Sequence, residues 1–363
     1  MALIYVNINL TLNDKFNFWR LFMKAAFLTE PNKIELREVD KPQCGENEII
    51  VKIAYCGICT LEQRLFTGDR KIYYPIVPGH EACGIIEEIG KKVITGHKVG
   101  DKVALDLVNR CHICPACLSG NSNMCENRFK RGQKVLGGFS QYMSVRPDQC
   151  YILPPDFNLK TASLVEPVAC CIRSMKKLDV KLGDDVLIIG AGPMGQIQAK
   201  VAKAMGARVF VADIDEKRLD FALKAGCDKV FNARDTEQFI KDVKEATDSR
   251  GVNAVAVTTP VEVSLLAATK VITSNGKINV YTSYNDDPKL PLGMNSLHRI
   301  EALVTGSEGR TEFDFYQSVR SLISSRIVID DLISEVYPLN EVEKAMGRAM
   351  NGGTYRVLLQ MED

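Results

Sequence analysis

Residues 184–215 read DDVLIIGAGPMGQIQAKVAKAMGARVFVADID. Val186–Ile189 is an apolar, β-branched run of the kind a buried parallel strand needs, because helices cover both faces of such a sheet. Gly190, Gly192 and Gly195 follow as G-x-G-x-x-G, with Pro193 and Met194 before the last glycine. Ile197, Val201 and Met205 then recur every four residues on one helical face, and Gly206 is placed to end the helix. Val209–Ala212 is a second strand run with Asp213 at its end. Strand, glycines, helix, strand and acid in this order form a dinucleotide-binding unit. The first glycine makes the turn, the second lets backbone approach a pyrophosphate, and the third allows close helix–strand packing. The helix start offers N–H groups and the positive end of its dipole to phosphate. Asp213 would accept hydrogen bonds from ribose hydroxyls and repel a 2′-phosphate, so NAD is expected rather than NADP.

Downstream, Leu219, Ala222 and Leu223 mark a further helix that stops near Gly226. Lys229–Phe231, Asn253–Thr258, Lys277–Tyr281 and Ala302–Thr305 are further strand candidates. Together they predict an α/β fold with a doubly wound parallel sheet of about six strands. No solenoid-period repeat or low-complexity tract interrupts the chain.

The 363 residues are enough for two domains. Apolar content of 46% and the absence of long like-charge blocks exclude disorder. A net charge of +1 argues against a nucleic-acid or anionic-membrane binder. Residues 1–22 lack a basic start, and Asp14 and Lys15 break their apolar run, so no secretory signal is read there. They are expected to be a peripheral extension or the result of an upstream start codon, with a docked N-terminal strand as the alternative, ahead of a strand that opens at Met23. With no export signal, the twelve cysteines point to a reducing, cytoplasmic setting in which clustered cysteines bind metal. Cys111, Cys114, Cys117 and Cys125 stand at C-x2-C-x2-C-x7-C, with Pro115, Gly120 and Asn121 permitting the turns. Four thiolates complete a tetrahedral zinc shell with no open position, which makes this a structural site. A reactive or disulfide-paired cluster is the alternative.

Three upstream segments carry chemistry: Tyr55-Cys56-Gly57-Ile58-Cys59, Val77-Pro78-Gly79-His80-Glu81 and Leu164-Val165-Glu166-Pro167. They offer a thiolate, an imidazole and two carboxylates. Three such ligands with a fourth position left open describe a catalytic zinc.

On these segments, with GGFSQY at 137–142 and GAGPMG at 190–195, the chain from about Met23 onward resembles the zinc-containing medium-chain dehydrogenase/reductase family. It is most similar to the sorbitol and other polyol dehydrogenases. The resemblance implies a GroES-like, β-rich catalytic domain over 23–172, completed by 309–363, with the NAD-binding Rossmann domain over 173–308. It implies two Zn2+ per chain. Cys59 and His80 would ligate the catalytic zinc, and Glu81 and Glu166 would share the remaining role, one as ligand and the other near the zinc-bound water. Arg218 matches a basic residue beside the adenosine ribose. Family members usually carry Ser or Thr two residues after the cysteine ligand to start a proton relay; here Leu61 stands there. The relay would run through Thr60, through Glu62, or through water to Glu166.

The function expected is zinc-dependent hydride transfer between a secondary alcohol (a polyol or sugar alcohol, with or without a phosphate) and NAD. Threonine-type or simple alcohol dehydrogenation is the alternative within the enzyme class. A non-catalytic NAD- or redox-sensing protein is the alternative outside it. The partner expected is a small-molecule alcohol or polyol, with no nucleic acid or membrane, and the resemblance implies a homodimer or homotetramer.

Overall fold

The structure is a computed structural model and describes residues 22–70, 72–128, 137–284 and 293–362. The expected N-terminal extension, residues 1–22, lies outside the described residues except for Phe22. In chain order the described strands begin with β1 (Phe22–Glu30), β2 (Lys33–Asp40), β3 (Ile49–Ile58), β4 (Glu81–Ile89), β5 (Lys102–Leu105), β6 (Tyr142–Val145) and β7 (Cys150–Ile152). They continue with β8 (Asp185–Ile189), β9 (Arg208–Asp213), β10 (Lys229–Asn232), β11 (Val252–Val257), β12 (Ile272–Val280), β13 (Leu303–Gly306), β14 (Ile333–Pro338) and β15 (Arg356–Gln360). The chain divides into two compact units. One lies within Met1–Leu107, Leu136–Ser163 and Glu335–Asp363, the other within Val108–Val135 and Leu164–Ser334.

The first unit is β-rich. β1 and β2 form an antiparallel hairpin. A seven-stranded sheet runs β14-β15-β3-β4-β5-β7, with β6 added on β3. β3 is its centre, and Ile49, Ile50, Val51 and Ile53 on it are fully buried. The core gathers Leu28, Ile86, Leu105, Phe139 and Met346 around that strand. β3 and β4 are antiparallel with Gly57 opposite Glu81. β15 lies on the other side of β3 with Val357 opposite Ile58. Three distant sequence segments therefore end at one corner of the sheet: 57–59, 79–81 and the start of β15.

The second unit is the doubly wound parallel sheet, in the order β10-β9-β8-β11-β12-β13. Chain order reverses between β8 and β11, the topological switch point where such sheets bind ligands beyond their strand ends. Leu187, Val209, Val211, Val255 and Val257 are fully buried, as apolar strands covered on both faces must be. β12 starts at Ile272, five residues before the expected Lys277, because Ile272 already pairs with Val252. Helices Val165–Leu178 and Glu312–Ile323 belong to this unit by contact, as does the four-cysteine loop. No helix among the described residues is long and apolar enough to cross a membrane.

Candidate functional site

In the first unit, β3 ends at Ile58 and Cys59 becomes the N-cap of helix Thr60–Thr67. Its Sγ accepts from the Leu61 N–H at 3.1 Å. Glu62, at the third helical position, reaches back to the Cys59 N–H at 3.1 Å and completes a capping box. The other Glu62 oxygen meets His80 Nδ1 at 2.7 Å and the Gly79 N–H at 3.3 Å. Glu62 is fully buried, so its charge is kept by these partners. Accepting from Nδ1–H fixes the imidazole tautomer and turns Nε2 toward Cys59, whose Sγ lies 3.7 Å away. Sulfur and nitrogen bound to one tetrahedral zinc stand about 3.6 Å apart, so this pair fits such an ion.

Electrostatics agree. Burial pushes the Cys59 thiol up to about 12, and Glu62 adds to the rise. Burial opposes charge on His80, but the Glu62 carboxylate and Cys59 outweigh it and hold the ring's pKa well above its usual value. The reciprocal effect of His80 lowers Glu62 despite burial. Without metal the set is proton-rich, and a divalent cation would displace those protons.

Glu81 is buried beside this pair, with one His80 nitrogen and one Glu81 oxygen within 4.8 Å. Arg356, also buried, holds Glu81 Oε1 at 3.1 Å and donates to the Ile58 carbonyl at 3.4 Å. Gly57 lies opposite, and a Cβ there would press on the Glu81 carboxylate. Thr60 is exposed on the first turn, and Leu61 packs against the core. Both Glu62 oxygens are engaged in holding Cys59, Gly79 and His80. Glu166 lies in the second unit, near the start of helix Val165–Leu178. It is buried, paired with Arg310, and accepts from the Cys170 thiol at 3.3 Å.

The four-cysteine loop brings its sulfurs within 4.8 Å of one another. Cys111 and Cys125 Sγ are 3.6 Å apart, against about 3.8 Å for two thiolates on one zinc and about 2.05 Å for a disulfide. None of the twelve cysteines, all among the described residues, forms a disulfide. Donation from backbone N–H groups, that of Ile113 first, lowers the Cys111 thiol to about 6, and similar donation lowers Cys114. Burial raises Cys117 to about 12. His112 stands outside the sulfur cluster, exposed, with Nδ1 3.6 Å from Glu312.

In the dinucleotide loop, Gly190 follows β8 and helix Pro193–Ala204 begins with Gly192 as N-cap and Pro193 at its first position. No side chain caps this helix start, and such a start suits an anion. A Cβ at Gly195 would collide with the Gly190 carbonyl, so the third glycine is a packing requirement. Asp213, ending β9, accepts from the Ala191 N–H at 2.6 Å, Ile214 N–H at 2.7 Å and Asp215 N–H at 3.0 Å. Those bonds fix the carboxylate at the strand end beside the glycine loop. Arg218 borders the same loop: its Nη1 is the nearest atom, at 3.8 Å, to a Cβ built on Gly192. Met194 lies within the first helical turn.

Sequence reasoning weighed Glu62 as a relay and did not assign it to His80. The Cys59-x-x-Glu62 spacing, that of a capping box, was the available signal. Arg310 and Arg356 were missed altogether, because nothing local marks either one.

The alcohol dehydrogenase GroES-like domain family matches residues 45–155, and the zinc-binding dehydrogenase family matches residues 193–325. The chain is 30% identical to sorbitol dehydrogenase of Bombyx mori over 93% of its own length and 99% of that protein's. It is 29% identical to D-arabitol-phosphate dehydrogenase of Enterococcus avium, over 93% and 97% respectively. A zinc-binding dehydrogenase structure from Sinorhizobium meliloti 1021, bound to NADP, superposes with a TM-score of 0.87 at 25% identity. That match covers 94% of this chain and 99% of the other. The chain belongs to the zinc-containing medium-chain dehydrogenase/reductase family. It is a zinc-dependent oxidoreductase of the alcohol and polyol class, working with a nicotinamide cofactor.

Proposed function

We propose that the chain oxidises a secondary alcohol of a polyol or sugar alcohol with NAD, and reduces the matching ketone in reverse. The observation that carries this is the convergence of Cys59 Sγ and His80 Nε2 at 3.7 Å, with Glu62 fixing the other side of the ring. Cys59 and His80 would hold the catalytic zinc, with Glu81 or Glu166 as the further ligand; Cys111, Cys114, Cys117 and Cys125 would hold a second, structural one. When bound, the zinc supplies a Lewis acid that lowers the hydroxyl pKa, and NAD accepts the hydride.

The protein's own groups do the rest. Glu62 keeps the His80 lone pair aimed at the metal position. Arg356 holds Glu81 through one carboxylate oxygen and fixes its position beside His80. Glu166, held by Arg310 and Cys170, is a positioned carboxylate for the reacting hydroxyl or a bound water. Asp213 supports NAD over NADP, because its charge would oppose a 2′-phosphate, and Arg218 would lie beside the ribose. By chemistry we read residues 23–172 and 309–363 as the catalytic domain and 173–308 as the NAD domain, a division that differs from the two compact units in assigning the four-cysteine loop and helix Glu312–Ile323 to the catalytic domain. The assembly is read as a homodimer or homotetramer, and free thiols throughout suit a cytoplasmic setting.

The test is a panel of polyols, polyol phosphates, amino alcohols and simple alcohols, with NAD and NADP each offered. Reduction of NAD with polyols is expected. Turnover confined to simple primary alcohols, or to NADP, would overturn the reading.

A further inference from the structure

Arg110 immediately precedes the first cysteine of the four-thiolate loop and is buried. Its Nη2 donates to the backbone carbonyl of Arg310 at 3.0 Å, and its Nε lies 3.4 Å from Glu312 Oε2. Ser122, from the same loop, also donates to Glu312. Asn123 donates to the Glu308 carbonyl at 2.8 Å. The segment 308–312 is therefore gripped by the four-cysteine lobe at three successive points. On its other side, the same segment faces helix Val165–Leu178. There Arg310 Nη1 binds Glu166 Oε1, and Lys176 Nζ meets the fully buried Asp314 at 2.5 Å. Thr311 caps helix Glu312–Ile323 through Asp314, which leaves the segment little freedom between the two grips.

We propose that Arg110 is a positioning residue for the reaction: by holding the Arg310 backbone it keeps the Arg310 guanidinium on Glu166, so the four-thiolate lobe acts at a distance on that carboxylate. This rests on the role given to Glu166 above. A guanidinium tethered only at its tip would let Glu166 rotate with it. With the backbone carbonyl also fixed, the pair becomes a rigid support, as outer partners of reacting groups must be.

The experiment compares Arg110→Met with wild type, each also in a Glu166→Gln background, on zinc-loaded enzyme with zinc content measured. Hydrogen exchange of 308–318 and steady-state kinetics are read together. Faster exchange there is expected, with kcat lowered by about tenfold and KM for NAD unchanged. In the Glu166→Gln background the same substitution is expected to cost less than about twofold more, because the two act as one unit. Arg110→Lys keeps a cation but cannot reach both acceptors. It should give the same non-additivity at smaller amplitude, and it decides the matter if the methionine variant loses its metal. Equal losses in both backgrounds, or unchanged exchange at 308–318, would overturn the proposal. If Glu166→Gln alone turns over at the wild-type rate, the role of Glu166 fails instead, and the exchange data still judge the hold of Arg110.

Discussion

Glu62 carries more of the chemistry than its place on an unremarked helix suggests. It is a buried charge whose partners are the Gly79 N–H and the two residues expected to grip zinc. Glu62→Gln keeps the shape and removes the charge that fixes the His80 tautomer. We expect a 10- to 100-fold loss in zinc affinity or turnover, roughly, measured by metal competition and by kcat/KM. The metal should also be strongly pH-dependent. The Cys59 thiol stands at about 12 in the metal-free protein and His80 is raised as well, so each must give up a proton to bind. Below both values, affinity should rise about tenfold per pH unit for each proton released, about 100-fold for two, and acid should release the ion. A slope of zero in zinc-competition titrations would remove the proton displacement. In the second unit, Asp213→Ser should shift the ratio of kcat/KM for NAD over NADP toward NADP.

Among the elements, the ones that local patterns encode were the legible ones. The β8–helix–β9 unit was readable because strand run, glycine spacing and four-residue helical period all lie within 32 consecutive positions. The four-cysteine loop was readable for the same reason. Its function as an anchor was not, since Arg110, Asn123 and Ser122 bind residues some 190 positions away. The Arg310–Glu166 pair spans 144 positions, and only the folded chain joins it. Cys111→Ser opens the sulfur shell and should lower the melting temperature of the second unit while leaving the 57–59 and 79–81 corner intact. An unchanged melting profile with an unchanged zinc count would count against a structural ion there.

At the level of the whole chain, the first unit is closed by its last strand. β15 lies between β14 and β3 and buries Val357, Leu358 and Leu359 almost completely. Removing residues 356–363 strips those three side chains from the core, a loss of about 5 kcal/mol or more, which rivals the net stability of a typical domain. It also removes Arg356 from Glu81. Such a truncation should leave the first unit unable to fold, seen as lost protection in hydrogen exchange of β3. The run YRVLLQM at 355–361 has the apolar character of a strand, but its pairing partner is set only by the fold.

Cys59 and His80 are proposed to hold one zinc in an open shell, separate from a second zinc in four sulfurs. Zinc K-edge absorption with metal counting on wild type and Cys59→Ser tests it most directly. Wild type should hold two zincs per chain with mixed sulfur, nitrogen and oxygen neighbours, and the variant one all-sulfur zinc. Two zincs retained in Cys59→Ser, or loss of the all-sulfur one, would contradict it.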